Sequence, residues 1–169
     1  MKFNEEIIFP IYIYQDILKS IKELCSRSES EIFGYLVGSI LIWKGNVYII
    51  IEDSIFIQGA VHSDKYSTAQ IEGTAGEYQK EFQKLKKMKK KENLRIVGWW
   101  HSHPNFGCFL SSTDLLTQKS FFYKSYQVAL VVDPIRNEFE FFVIDNSIKK
   151  GYKASSYAII KIDSSKEII

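Results

Sequence analysis

Two histidines and an aspartate have the residue types and the spacing of a metal site. His101 and His103 are separated by one residue, and Asp114 follows eleven residues after His103. Alternate residues of a β-strand point to the same face, so the two imidazoles would lie side by side. Pro104 and Gly107 turn the chain, which lets Asp114 face back toward the strand end. Two histidines and one carboxylate are three ligands for Zn²⁺ and leave a fourth position for water, as in catalytic sites.

Each part of this pattern also has a structural interpretation. A His-x-His pair alone is more often two hydrogen-bonded or exposed histidines than a pair of ligands. Ser111 and Asp114, three residues apart before an apolar segment, form a capping box at a helix N-terminus. The cap and the ligand are compatible roles, because a cap fixes the start of the helix that aims Asp114. Two of the three histidines of the chain lie in this one pair, which favours the metal site.

The surrounding sequence resembles the JAMM motif of the MPN-domain (JAB-type) zinc metalloproteases. The central match is His101-Ser102-His103-Pro104, six intervening residues, and then Ser111-x-x-Asp114. The upstream glutamate and Gly-x-Leu-x-Gly of that family match Glu31, Gly34, Leu36 and Gly38. Segments 98–104, 106–111, 117–118 and 131–134 are similar to the proteasome-lid and signalosome isopeptidases. The resemblance covers residues 31–144 and implies an α+β (mixed α/β) fold with a curved central β-sheet flanked by helices.

The resemblance also implies a role for each matching residue. His101, His103 and Asp114 would bind Zn²⁺, with water as the fourth ligand. Glu31 would accept the proton of that water and pass it to the departing amine. Ser111 would donate a hydrogen bond to the oxyanion. Residue type alone does not distinguish Glu31 from Glu29, and the spacing to the two glycines selects Glu31.

The activity implied is that of an isopeptidase or peptidase that cleaves after the C-terminus of ubiquitin or a ubiquitin-like modifier. Its expected partners are that modifier, its conjugates and the matching conjugation enzymes. Because the sequence ends at Ile169, with no room for the C-terminal helical extension of the lid and signalosome relatives, we expect a compact, stand-alone member. Such a member would be similar to the bacterial and archaeal deubiquitinase-like peptidases.

Three other functions stay open. A sulfur-carrier-type peptidase would release an amino acid from a small ubiquitin-like protein. A DNA-repair-associated relative has a different motif, and Ser102 and Leu110 count against it. From another class, a non-catalytic MPN scaffold would bind a partner protein. Such scaffolds usually lack a metal ligand, and here all three ligand residues are present.

The loop between the ligands carries three further candidates. Phe106 and Phe109 would either grip an extended substrate tail or pack the loop onto the core. Cys108 is expected to pack, since no base is placed beside it to make it a nucleophile. Elsewhere, His62 is expected to be a surface histidine, and the lysine-rich run 84–91 a solvated end of a helix.

Composition limits the class of protein. The 169 residues are 46% hydrophobic and 25% charged, which predicts one globular domain over residues 1–169. A net charge of +2 makes nucleic acid an improbable main partner. No apolar run approaches the roughly 20 residues of a spanning helix, so no membrane segment is expected. Two cysteines and no signal peptide favour a reducing, cytoplasmic location.

Local patterns predict the elements that must position the site. Helical spacing is present at residues 17–25, from about residue 68 to the lysine run, and at 115–126. Apolar and β-branched runs predict strands at 32–43, 47–57, 95–103, 128–132, 139–144 and 157–162, with a hairpin turn at Lys44-Gly45-Asn46. The metal would then lie at one end of strand 95–103, beside the start of helix 115–126.

Overall fold

Strands and helices alternate along the part of the chain that the structure, a computed structural model, describes. It describes residues 9–57 and 67–162, without the side chains of residues 67–73. The elements are β1 (Ile11–Tyr14), α1 (Gln15–Ser26), β2 (Phe33–Trp43), β3 (Asn46–Ile55), α2 (Ser67–Lys89), β4 (Arg95–Ser102), α3 (Ser112–Phe121), β5 (Val128–Asp133), β6 (Glu138–Ile144), β7 (Tyr152–Ala154) and β8 (Tyr157–Ile160).

The strands form one mixed sheet with β4 in its interior. The order across the sheet is β7-β6-β5-β4-β2-β3-β1-β8. β4 is antiparallel to β2 and parallel to β5, so that His101 lies between Phe33 on one side and Val131 on the other. A central strand has hydrogen-bonded neighbours on both edges. The histidine-bearing end of β4 is therefore held in place from both sides.

Two apolar cores cover the two faces of the sheet. On one face, α1 buries Leu18, Ile21 and Cys25 against the sheet, together with Trp100. On the other face, α2 and the segment after α3 pack Tyr78, Leu85 and Phe122 against Trp99 and its neighbours. The predicted α+β fold, a central sheet flanked by helices, is confirmed. None of the described helices is long and apolar enough to cross a membrane.

The glycines of the Gly-x-Leu-x-Gly segment lie where two backbones come very close. A Cβ at Gly38 would lie 1.9 Å from the Ile50 carbonyl oxygen, which only glycine avoids. The pairing of β2 with β3 shifts register between Val37 and Gly38, and its pairing with β4 shifts between Leu36 and Val37. Such bulges bend a strand and increase its twist, so this segment shapes the sheet beside the site.

Most predicted elements are confirmed, with four differences. The strand β1, which follows Pro10, was not predicted. The short strand β7 was not predicted. The helix predicted at residues 115–126 is α3, which begins at its cap and ends at Phe121, because Phe122 turns into the core. The predicted last strand, 157–162, ends at Ile160. The assignment of residues 1–169 to one domain stays a prediction.

Candidate metal centre

The end of β4 and the start of α3 bring the three predicted ligands together. Asp114 Oδ2 lies 3.4 Å from Nε2 of His101 and 3.4 Å from Nε2 of His103. One donor atom from each of the three residues lies within 4.8 Å of the others. All three side chains are buried, with exposures of 4%, 3% and 6% for His101, His103 and Asp114. The cluster is therefore compact and shielded enough to hold a single cation.

Asp114 is aimed by the capping box that the sequence predicts. The Ser111 hydroxyl accepts a hydrogen bond from the Asp114 N–H at 3.1 Å, and Asp114 Oδ2 accepts one from the Ser111 N–H at 2.8 Å. Because the cap uses an acceptor lone pair of the Ser111 hydroxyl, its proton remains for donation to another group. The same carboxylate thus caps the helix and faces both histidines.

His103 is held through the loop that follows it. Its Nδ1 lies 3.3 Å from the Gly107 carbonyl oxygen. That loop is in turn held by Asp133, whose carboxylate accepts hydrogen bonds from the N–H groups of Asn105 at 3.0 Å and Gly107 at 2.7 Å. Arg136 donates to the Asn105 carbonyl oxygen at 2.9 Å. This role of Asp133 was not predicted from the sequence, where its signals were an aspartate at the end of an apolar run and its place in the family-like segment 131–134.

His101 provides the test of whether a metal fits. Both of its ring nitrogens are buried without a hydrogen-bond partner in the part of the chain that the structure describes. A buried polar atom without a partner costs about 1–3 kcal/mol. A cation placed among the three side chains would give the imidazole a partner. Two imidazoles and a carboxylate are also the donor set that zinc accepts, so the residues present fit a zinc ion.

The electrostatics of the cluster favour a bound cation. Burial by itself raises the pKa of Asp114, but the neighbouring His101 and His103 and the hydrogen bond from Ser111 outweigh it and hold that pKa far below its usual range. Burial opposes a charge on His103, yet the Asp114 carboxylate outweighs that effect and raises the pKa of His103. The charge of Glu31 and the Gly107 carbonyl contribute in the same direction.

Glu31 lies beside the cluster, two residues before the start of β2. Phe33 pairs with His101 in the antiparallel β2–β4 ladder, so Glu31, two residues before Phe33, lies toward His103, two residues after His101. The Ile32 N–H donates to Ser102 Oγ at 3.0 Å, and the Ser102 N–H donates to the Ile32 carbonyl at 2.9 Å. Glu31 is exposed, which leaves its carboxylate open to a substrate.

The loop residues have different environments. Phe106 is 66% exposed, and Phe109 is 40% exposed with its ring 4.8 Å from the ring of His103. Phe106 therefore contributes little to packing and is free for a substrate contact. Cys108 packs against the core, and burial raises the pKa of its thiol to about 11, which agrees with the packing role. His62 lies outside the described residues.

Ion pairs within the chain neutralise much of the lysine-rich run at the end of α2. Lys86 lies 3.1 Å from Glu92, Lys89 lies 2.8 Å from Asp53, and Lys91 pairs with Glu52. A run with carboxylates so close is a weak attractant for nucleic acid. The side chains of Lys86 and Lys89 are only 15% and 29% exposed, so this helix end is less solvated than the sequence predicted.

A family comparison identifies the class of protein. The family model described as JAB1/Mov34/MPN/PAD-1 ubiquitin protease matches residues 8–127. The chain belongs to this family, and its JAMM-type resemblance is confirmed.

Particular relatives follow from comparisons with known proteins. Over 43 residues, 25% of this chain, the sequence is 63% identical to the ubiquitin carboxyl-terminal hydrolase RPN11 of Saccharomyces cerevisiae. It is 34% identical over 123 residues, 72% of this chain, to the uncharacterized protein F37A4.5 of Caenorhabditis elegans. It is also 34% identical over 125 residues, 69% of this chain, to the COP9 signalosome complex subunit 5 of Candida albicans.

The matched segments are short parts of those relatives. They span 14% of the yeast protein, 35% of the nematode protein and 19% of the Candida protein. Among solved structures, protein DSY2949 from Desulfitobacterium hafniense superimposes with a TM-score of 0.59 and 15% identity, covering 92% of this chain and 96% of that one. At that identity the likeness concerns the fold alone.

Proposed function

We propose that this protein is a zinc-dependent isopeptidase or peptidase that cleaves after the C-terminus of ubiquitin or a ubiquitin-like modifier. The observation that carries the proposal is the buried His101–His103–Asp114 cluster with Glu31 beside it, in which the His101 ring nitrogens have no hydrogen-bond partner among the described residues. Membership in the JAB family, described as a ubiquitin protease family, and the name of the yeast relative support the substrate class.

The hydrolysis divides into roles that these residues can perform. Zinc, when bound, supplies a positive charge that acidifies a water and polarises the carbonyl of the scissile bond. Glu31 accepts a proton from the attacking water while the water oxygen bonds to the carbonyl carbon. Glu31 then returns a proton to the departing amine when the C–N bond breaks. The Ser111 O–H donates a hydrogen bond to the oxyanion, a contact of a kind typically worth about 2.7–4 kcal/mol in the transition state.

Substrate recognition and location belong to the same proposal. The exposed Phe106 and the half-exposed Phe109 flank the cluster and would contact the extended C-terminal tail of the modifier. The partners are then the modifier, its conjugates and the enzymes that form them. Both cysteines are free, which supports a reducing compartment such as the cytoplasm.

The test combines metal content with cleavage of ubiquitin that carries a C-terminal aminocoumarin amide. Purified wild type should contain one zinc per chain, and His101→Ala should lose it. Glu31→Gln should keep the zinc and lose cleavage by about 100-fold or more, the scale of a missing general base. Glu29→Gln is the matched control, because it removes an equal charge two residues away and should cleave like wild type.

Three other outcomes would overturn all or part of the proposal. Zinc without cleavage of either the ubiquitin reporter or an isopeptide conjugate would favour a non-catalytic scaffold. Cleavage restricted to a small ubiquitin-like protein that carries one C-terminal amino acid would identify a sulfur-carrier-type peptidase. A preparation that takes up no zinc when offered the ion would refute the metal site itself.

A further inference from the structure

We propose that Trp99 is a positioning residue that sets the orientation of the His101 imidazole for metal binding, and that Gln118 holds Trp99 in place. This inference rests on the proposed metal site. It concerns the two ligand histidines, which the structure supports in different ways.

A metal-binding histidine usually donates its second ring N–H to a carboxylate, a carbonyl or water, and this bond fixes the ring plane. His103 follows that rule, since its Nδ1 faces the Gly107 carbonyl oxygen at 3.3 Å. His101 differs. Its Nε2 faces Asp114 Oδ2 at 3.4 Å, but its Nδ1 has no hydrogen-bond partner among the described residues. On the Nδ1 side, packing must therefore hold the ring plane.

The packing partner is the indole of Trp99, two residues earlier on the same face of β4. The rings of Trp99 and His101 stack with centroids 4.3 Å apart and planes 14° apart. The indole also stacks with Phe122, at 5.7 Å and 8°. Parallel stacking restricts rotation of the imidazole ring about the Cβ–Cγ bond. A rotation of that kind would swing Nε2 away from Asp114.

Gln118 fixes the indole within this stack. The Trp99 Nε1–H donates to Gln118 Oε1 at 2.7 Å. The Gln118 amide group donates to the carbonyl oxygens of Phe122 at 2.9 Å and Gln127 at 3.1 Å, and the side chain is fully buried. Both ends of the amide are therefore engaged. The indole plane, and with it the His101 ring, is anchored to the C-terminal end of α3, the helix that carries Asp114.

Trp100 provides a matched control for a purely structural role. It is the neighbouring residue on β4 and is equally buried, but it packs into the opposite core beside Phe56. Replacing either tryptophan by leucine removes similar volume from a core and should destabilise the fold. Only the Trp99 replacement removes the ring that stacks on His101.

The experiment measures the affinity of the purified chain for Co²⁺, by its d–d absorption, and for Zn²⁺, by competition with a chelator. Trp99→Leu should bind both metals about 10–100-fold more weakly than wild type, the usual cost of losing a partner that orients a ligand. Trp99→Phe keeps a ring to stack and should lose less than about tenfold, with a broadened Co²⁺ spectrum. Trp100→Leu should bind like wild type despite its lower unfolding temperature.

Equal weakening by Trp99→Leu and Trp100→Leu, or unchanged affinity in Trp99→Leu, would overturn the assignment. Should Trp99→Leu fail to fold, Trp99→Phe should still bind both metals more weakly than Trp100→Phe, and equal affinities of these two variants would overturn the assignment. The readout is independent of turnover, so a wild type that binds metal without cleaving would refute the proposed function and leave this test intact. A wild type that binds no metal would overturn both.

Discussion

Replacing Asp133 by asparagine should destabilise the protein and loosen the loop between the metal ligands. The carboxylate is fully buried and accepts four backbone N–H groups. Oδ1 accepts from Asn105 at 3.0 Å, Ile135 at 3.0 Å and Arg136 at 3.1 Å, and Oδ2 accepts from Gly107 at 2.7 Å. The substitution changes hardly any volume, so the loss of acceptor oxygens dominates its effect.

The expected loss of stability follows from these four hydrogen bonds. An asparagine amide has one acceptor oxygen, and if that oxygen keeps the three partners of Oδ1, its NH₂ group faces the N–H of Gly107. One hydrogen bond to a charged group, typically worth about 1.5–3 kcal/mol, is then lost, and the remaining three become weaker neutral bonds. The ion pair of Oδ2 with the half-exposed Arg136, at 3.6 Å, is lost as well and adds little. We expect the free energy of unfolding to fall by about 2–4 kcal/mol. The Gly107 carbonyl supports His103, so the zinc affinity should fall as well.

Urea unfolding of the metal-free protein at pH 7 measures the loss of stability. Asp145→Asn is the control, because Asp145 also accepts a hydrogen bond from a turn N–H, that of Ser147, but is only half-buried and pairs with the exposed Lys153. Its substitution should cost much less. A loss within about 0.5 kcal/mol for Asp133→Asn, the range of ordinary surface substitutions, would refute the role assigned to Asp133.

The pH dependence gives a second check on Asp133. Burial would raise its pKa, but the four N–H groups outweigh burial and lower the pKa below its ordinary value of 3.8. A lowered pKa contributes stability above the unfolded-state value, and that contribution is lost as the pH falls through the folded-state value. The stability difference between wild type and Asp133→Asn should therefore be full at pH 7 and shrink below about pH 4.

Three further predictions concern other residues near the site. Burial raises the pKa of Cys108 to about 11, so the thiol stays protonated at pH 7. Cys108→Ala should therefore leave the cleavage rate unchanged. A large loss of cleavage would contradict the packing role. Ser102→Ala should lower the free energy of unfolding in urea by about 1–3 kcal/mol, because the Ile32 N–H loses its acceptor. It should also lower turnover and keep the zinc affinity. Unchanged kinetics would argue against a role of the Ser102–Ile32 hydrogen bond in placing Glu31. Gly98→Ala should lower the unfolding temperature strongly, because φ at this residue is +153° and the new Cβ would lie 2.0 Å from the Val128 carbonyl oxygen. A variant as stable as wild type would show that β4 and β5 can separate at this point.

The features that the sequence determined by itself are those set by neighbouring residues. His101 and His103 share a face because side chains alternate along any strand, whatever the rest of the fold does. Asp114 reaches them because the capping box with Ser111 is also local and starts α3 at a defined residue. The turn at Lys44 and Gly45 formed as predicted, since both residues adopt positive φ there. The family resemblance added the choice of Glu31, which residue type alone left open.

Contacts between distant segments decided the rest. Asp133 holds the loop at Gly107 across 26 residues, Gln118 holds Trp99 across 19, and Ser102 holds Ile32 across 70. Helix α3 ends at Phe121 although apolar residues continue, because Phe122 packs beside Trp99. Hydrophobic periodicity states only which face of an element is apolar. Which side chain reaches across to support a ligand depends on the order and register of the strands, and the tertiary structure alone decides these.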